Sequence, residues 1–192
     1  MELKKIIILG GLLISFTMMS LIFFLGNGKE QIVPSQNLVT TDNEQQEPAQ
    51  IETEKVTLFF LSEEDGMLHP EEREMVVTSI LHLKAMMIIE ELIKGSQNGL
   101  ISPFPTDTEL REFFLSPDGT AYVDFSRAFQ ENHPSGASAE ISTVYSVVNT
   151  LMFNIDSIKK VFILIDGGEK ETLSGQIDLS RPFVSRFDLI VE

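Results

Sequence analysis

Three aspartates, Asp124, Asp166 and Asp178, are the residues of this sequence that could do chemistry together. Two carboxylates flanking a glycosidic bond can hydrolyse it, one as acid and the other as base or nucleophile. All three could meet at one end of the sheet. Their contexts argue for a simpler role. Asp124 precedes Phe-Ser, Asp166 precedes Gly, and Asp178 precedes Leu-Ser, all settings in which Asp shapes a turn through its own backbone. The remaining chemistry is sparse. His69, His82 and His133 fall in an expected edge strand, a helix and a loop, without HExxH or paired metal-ligand spacing. Ser126 and Ser180 lie in no G-x-S-x-G elbow, and neither has a histidine nearby in sequence. No glycine-rich phosphate cradle opens a helix. We therefore assign no catalytic, cofactor-binding or metal-binding residue, and expect a protein that is not an enzyme.

The stretch that must position Asp124 is Gly119-Thr-Ala-Tyr-Val-Asp-Phe-Ser-Arg-Ala-Phe129. Ala121, Val123 and Phe125 alternate with Tyr122 and Asp124, the period of a strand with one buried face. Asp118-Gly119 is a turn dipeptide, so Glu109–Leu115 can return as a hairpin partner. Ser126 can bond nearby backbone N–H groups and stop the strand, and Phe129 returns to the core. Ile177-Asp-Leu-Ser-Arg-Pro-Phe183 echoes Val123-Asp-Phe-Ser-Arg-Ala-Phe129, with Asp, Ser, Arg and Phe at matching places. The echo predicts a second unit of the same kind: an apolar-in strand, an outward Asp, a serine-capped exit and an aromatic plug.

Gly99-Leu-Ile-Ser-Pro-Phe-Pro105, then Gly119–Ser126, then Asp166-Gly with Ile177-Asp-Leu-Ser180, resembles the GerMN domain of sporulation and spore-germination proteins. The resemblance runs from about Val56 to Phe183. It implies a non-enzymatic module of the cell envelope that takes part in protein assemblies, with a fold similar to the ring-building modules of envelope-spanning complexes. It supplies no catalytic residues. Some proteins of this kind are lipoproteins and some carry two tandem domains. This sequence has no cysteine to lipidate and a single copy.

Composition narrows the partners. The net charge is −15, against nucleic acid, whose phosphates need clustered Lys and Arg, and against broad contact with an anionic membrane surface. Without cysteine there are neither disulfides nor thiolate metal sites. With no Trp and 14 Phe, phenylalanine carries most of the aromatic burial.

A membrane enters through the N-terminus. Residues 1–5 are short and basic, and residues 6–26 contain no charge. At about 1.5 Å per residue that run spans roughly 30 Å, the hydrocarbon thickness of a bilayer. It is longer than a signal-peptide core and ends Phe23-Phe-Leu-Gly-Asn-Gly28, a poor cleavage site, so an uncleaved anchor is expected over a cleaved leader. Lys4 and Lys5 hold the N-terminus in the cytoplasm and put the rest outside. The expected location is thus the cytoplasmic membrane, single-pass, with the C-terminal domain in the periplasm or intermembrane space. Residues 27–54 hold one Lys against six acids, with Pro34 and Pro48, and read as a flexible acidic linker.

Residues 55–192 form the expected domain. Lys55–Leu61 reads as a central strand, apolar on both faces in its second half. Met67–Val77, with Pro70 and its acids, reads as an irregular edge. Thr78 or Ser79 caps a helix to Lys94 that buries Leu81, Ala85, Ile88, Ile89 and Leu92, and Gly95 stops it. Met86 and Met87 read as core filler. The Ser96–Pro105 loop, with Leu100, Ile101 and Phe104, should fold back on the core. After the hairpin, Ser135 or Ser138 opens a helix to about Phe153, striped by Ile141, Val144, Val148, Leu151 and Ile155. Ile158–Ile165 is a buried strand, Asp166-Gly-Gly168 a turn, and Glu169–Leu173 a further strand. Ser185–Glu192 adds an edge strand or stays loose. The expected fold class is α+β: a two-layer sandwich of one small mixed or antiparallel sheet with two helices on one face, preceded by the transmembrane helix. Its expected partners are envelope proteins or further copies of itself, ring-like assembly included. The alternative function is an envelope protein that binds or hydrolyses peptidoglycan or other carbohydrate through Asp124, Asp166 and Asp178.

Overall fold

The computed structural model describes residues 51–191; the expected anchor and most of the linker lie outside them. The fold is α+β, as expected, but its strands form two sheets instead of one. β1 (Thr53–Leu61) pairs antiparallel with β2 (Leu68–Val76). α1 (Leu81–Ile93) follows. β3 (Leu110–Leu115) and β4 (Thr120–Phe125) form the hairpin, and β5 (Lys160–Ile165) joins β4 in parallel, giving the order β3-β4-β5. Between β4 and β5 lie a short helix α2 (Ala128–Glu131), unanticipated from sequence, and α3 (Ala137–Asn154).

The second sheet exists because of what covers the outer edge of β1. The expectation is a central strand, yet among the described residues no strand of either sheet lies on that side. Side chains of α3 bond its backbone instead. The Thr57 N–H donates to Asn154 Oδ1 (2.9 Å) and the Phe59 N–H to Thr150 Oγ1 (3.1 Å). Asn154 Nδ2 donates to the Thr57 carbonyl (2.7 Å), and the Ser146 hydroxyl to the Phe59 carbonyl. The Ile101 N–H closes the end at Leu61 (2.8 Å). Buried backbone groups must find partners. Ser146, Thr150 and Asn154 are spaced by four, on one helical face, and replace a neighbouring strand.

Both helices begin without their expected caps. Thr78 Oγ1 accepts the Ile80 N–H (3.2 Å), but α1 starts from Ile80 with no side-chain cap. Leu81 sits in the first turn, 36% exposed, and does not join the buried stripe; Ala85, Ile88, Ile89 and Leu92 do. α3 starts after Gly136, so neither Ser135 nor Ser138 caps it. Ile141 is half-buried, whereas Val144, Val148, Leu151 and Ile155 are in the core.

One core joins the layers. Leu58 and Phe60 from β1, Phe113 from β3, Val123 and Phe125 from β4 and Ile163 from β5 meet the apolar stripes of α1 and α3. Burying each large side chain contributes about 1.5–3 kcal/mol relative to leaving it exposed. Phe104 brings the Ser96–Pro105 loop onto that core, 5.6 Å from the Phe125 ring and 5.8 Å from Phe129, as expected. Glycine is required at 119, where φ is +86° and a Cβ would come within 2.7 Å of Lys159 Cγ and 3.0 Å of the Ser157 carbonyl.

After β5 the chain departs from expectation. Asp166 (φ +56°) and Gly167 (φ +76°) turn it tightly, with Ile165 and Gly168 exchanging backbone bonds. Glu169–Leu173 is not a strand: only isolated bridges, Thr172 to Asp178 and Val161 to Phe183, mark the segment that follows. The tail forms a single 3-10 turn, Phe187–Leu189, and Ile190 bridges Leu68.

Candidate functional site

Asp124 and Asp166 do meet, at the end of the three-stranded sheet where β4 and β5 terminate. A register shift between Leu110 and Glu112 lets Arg111 reach them; such a bulge re-aims a side chain. Arg111 Nε donates to Asp124 Oδ2 (3.0 Å) and its Nη1 to Asp166 Oδ1 (3.0 Å). Arg127 Nη2 donates to Asp166 Oδ2 (2.6 Å), and the Gly167 N–H to Asp124 Oδ1 (2.9 Å). The hydrogen bond from Arg127 foremost, then its charge, holds Asp166 below the ordinary carboxylate range. Both aspartates are thus bound by arginines, and Asp124 is almost wholly buried. From the sequence Arg127 stands out only as a member of the repeated motif, and Arg111 not at all. Arg111 owes its role to a register irregularity that no periodicity announces, and Arg127 to a turn made by a segment distant in sequence.

Asp178 does not join them. Its Oδ1 accepts the Ser180 N–H (2.9 Å) and hydroxyl (2.5 Å), and its Oδ2 accepts Arg181 Nη2 (2.8 Å). The Ser180 hydroxyl, with Arg181, lowers its pKa to about 2. The three carboxylates expected at one end of the sheet are a pair and a singleton. Each of these carboxylates accepts hydrogen bonds from arginine, and Asp124 and Asp178 accept from backbone N–H groups as well.

The histidines are separate as well. His69 contacts Asp65 (2.8 Å), His82 lies edge-on to Phe113 (5.8 Å between centroids), and His133 is buried. His133 Nδ1 faces the Pro134 carbonyl (2.8 Å) and Nε2 faces Thr143 Oγ1 (2.8 Å). Burial pushes its pKa down. Among the described residues no group of three or more metal-ligating side chains gathers.

Two buried glutamates went unnoticed in the sequence, and both act as clasps. Glu71, on β2, accepts Arg73 Nε (3.0 Å), the Ser96 hydroxyl (2.6 Å) and the Gln97 N–H (3.0 Å), while Arg73 Nη2 reaches the Gly95 carbonyl (2.6 Å). Burial raises the pKa of Glu71, but these donors outweigh it and the net shift is downward. Glu140, fully buried in the first turn of α3, accepts the N–H groups of Gln176 (3.1 Å) and Ile177 (2.9 Å). Glutamate in a helical or acidic run ordinarily reads as solvated surface, so only the tertiary structure reveals the clasp.

This α+β domain ties its aspartates to arginines and to turn amides. The profile of the family described as "Sporulation and spore germination" matches residues 57–171, and the chain belongs to that family. Among solved structures, the tandem GerMN domains of the sporulation protein GerM from Bacillus subtilis are 25% identical with a TM-score of 0.58. That match covers 71% of this chain and 48% of the tandem one. The first GerMN domain of the same protein is 25% identical with a TM-score of 0.54, over 71% of this chain and all of that domain. A candidate lipoprotein of Clostridium perfringens is 28% identical with a TM-score of 0.50, over 70% of this chain and 89% of that one. A search of curated proteins returned no match. The domain is therefore of GerMN type.

Proposed function

We propose that this chain is a membrane-anchored interaction module of the bacterial cell envelope, which presents one GerMN-type domain outside the cytoplasm to other proteins. The observation that carries the reading is the engagement of Asp124 and Asp166 by Arg111, Arg127 and Gly167, in a family associated with sporulation and germination. Carboxylates neutralised in place serve to hold backbone; a hydrolase would need one of them free for proton transfer. The uncharged run of residues 6–26 and the basic residues before it support the anchor and its orientation. The domain is not an enzyme in this reading. Its partners are envelope proteins or further copies of the chain, in assemblies around sporulation or germination.

Site-specific photo-crosslinking of the full chain in cells tests this. Cross-links from the folded domain to an envelope protein or to a second copy are expected. A domain that captures neither, yet hydrolyses or retains purified peptidoglycan in a manner lost with Asp124→Asn, contradicts it.

A further inference from the structure

We propose that the free edge of β2, with the apolar groove at its start, receives an extended basic peptide from another protein as an added strand. The inference rests on the interaction reading above and names its site. The Val77 N–H bonds the Glu52 carbonyl (3.0 Å) and the Ser62 N–H the Met67 carbonyl (2.9 Å), which fixes the phase of the β1–β2 ladder. In that phase Leu68, Pro70, Glu72, Glu74 and Val76 turn their backbone groups away from β1. The Val191 N–H takes the Leu68 carbonyl (3.0 Å), and Ile190 bridges Leu68 in parallel. Beyond Pro70, which has no N–H to offer, the outward N–H and C=O groups of Glu72, Glu74 and Val76 have no backbone partner among the described residues. The tail has started a third strand and left the rest of the edge open.

At the point where the tail ends its pairing lies an apolar groove of about 390 Å³, lined by Phe59, Pro70, Phe153, Phe187, Ile190 and Val191 among others. Phe153 and Phe187 are about half exposed, at 54% and 49%, although their rings pack edge-on (6.5 Å between centroids). A strand laid along Glu72–Val76 runs toward the position of Ile190 and Val191, so a large apolar side chain at its end reaches this groove. Backbone bonds supply affinity in such strand addition, and alternate side chains supply choice.

Charge selects the occupant. Glu72 and Glu74 are exposed on this edge; Glu72 meets Lys55 (2.8 Å) on the strand behind it, and Glu74 has no ion-pair partner among the described residues. In a chain of net charge −15, a second copy of the edge would bring like charges together, which disfavours self-pairing. Lysine or arginine on the incoming strand complements both glutamates.

The test uses the full chain in detergent micelles, a synthetic peptide of alternating Lys and Val ending in Phe, and the same peptide with Glu for Lys. The basic peptide is expected to bind and to slow hydrogen exchange at the Glu72, Glu74 and Val76 amides, while the acidic one does not bind. Val76→Pro removes an outward N–H without deleting a β1–β2 bond, and is expected to weaken binding at least tenfold. Phe153→Ala should weaken it through the groove, and Glu72→Lys with Glu74→Lys should transfer preference to the acidic peptide. Failure of the basic peptide to bind, binding without protection of those amides, or unchanged affinity in both Val76→Pro and the Glu72→Lys, Glu74→Lys variant overturns the proposal. Cellular cross-links that persist in Val76→Pro remove this site and leave the interaction reading standing. Loss of every cross-link in the unaltered chain removes that reading itself.

Discussion

Val123–Phe129 and Ile177–Phe183 share Asp, Ser, Arg and Phe at matching places, yet fold into different devices. In the first, β4 has a strand on each side. Asp124 is buried and finds Arg111 on one neighbour and the Gly167 amide just past the other. Because Asp124 is already occupied, Arg127, three residues on, turns to Asp166 instead. Ser126 Oγ accepts the Glu109 N–H (3.0 Å) across the hairpin, and Phe129 stacks on Phe125 at 4.4 Å, fully buried. In the second, no pair of strands flanks the motif among the described residues. Asp178 folds onto Ser180 and Arg181 of its own turn, and Phe183 lies beside Val161 as a half-buried extension of the sheet, its ring 6.0 Å from Tyr145. Only the second copy closes an Asx turn, Asp178 accepting the Ser180 N–H; in the first the Ser126 N–H goes to the Glu109 carbonyl and Asp124 fastens neighbouring segments instead.

The largest effect should separate the two phenylalanines. Phe129→Ala empties a fully enclosed site and should cost about 3–5 kcal/mol, read as the free energy of denaturant unfolding. Phe183→Ala should cost clearly less, since part of that ring is already in water. Equal losses would mean that the second copy plugs the core after all.

A middle-sized effect concerns backbone held by side chains. Asn154→Ala leaves the Thr57 N–H and carbonyl without partners at the edge of β1, and should cost about 1–3 kcal/mol. Glu140→Ala should cost about as much, by releasing the Gln176 and Ile177 amides that lead into the second copy. Faster hydrogen exchange at those amides is the specific readout.

Acidification gives a further, smaller separation. The folded pKa of His133 lies below its unfolded value of 6.5. The unfolded chain therefore binds more protons in that window, and stability should decline as pH falls below about 6.5. Glu71 and Asp166 are also lowered, so the stability they lend is complete above the ordinary carboxylate range and fades as pH falls through the lowered values. Melting midpoints from pH 8 to pH 3 should thus fall in two stages, and His133→Gln should abolish the first.

Much of this was legible in the sequence. Alternation in Ala121–Phe125, the Asp118-Gly119 and Asp166-Gly167 turns, and the stripes of the two long helices placed most of the α+β frame. What failed did so for physical reasons. β2 read as irregular because its inward positions include Glu71 and Arg73, a buried ion pair (2.5 Å) that looks like surface. One sheet was expected because Ser146, Thr150 and Asn154, polar residues on a helix, were not read as substitutes for a strand. Of the three aspartates expected at one end of the sheet, Asp124 and Asp166 meet there and Asp178 does not, because its own turn supplies its partners.

The most direct measurement compares Asp124→Ala with Asp178→Ala by denaturant midpoint and by exchange at the Gly167 amide. Loss of the buried carboxylate should cost about 1–3 kcal/mol and speed exchange at Gly167, whereas Asp178→Ala should leave both nearly unchanged. Two variants that keep the parent midpoint, while both abolish binding or cleavage of a glycan, would contradict the account.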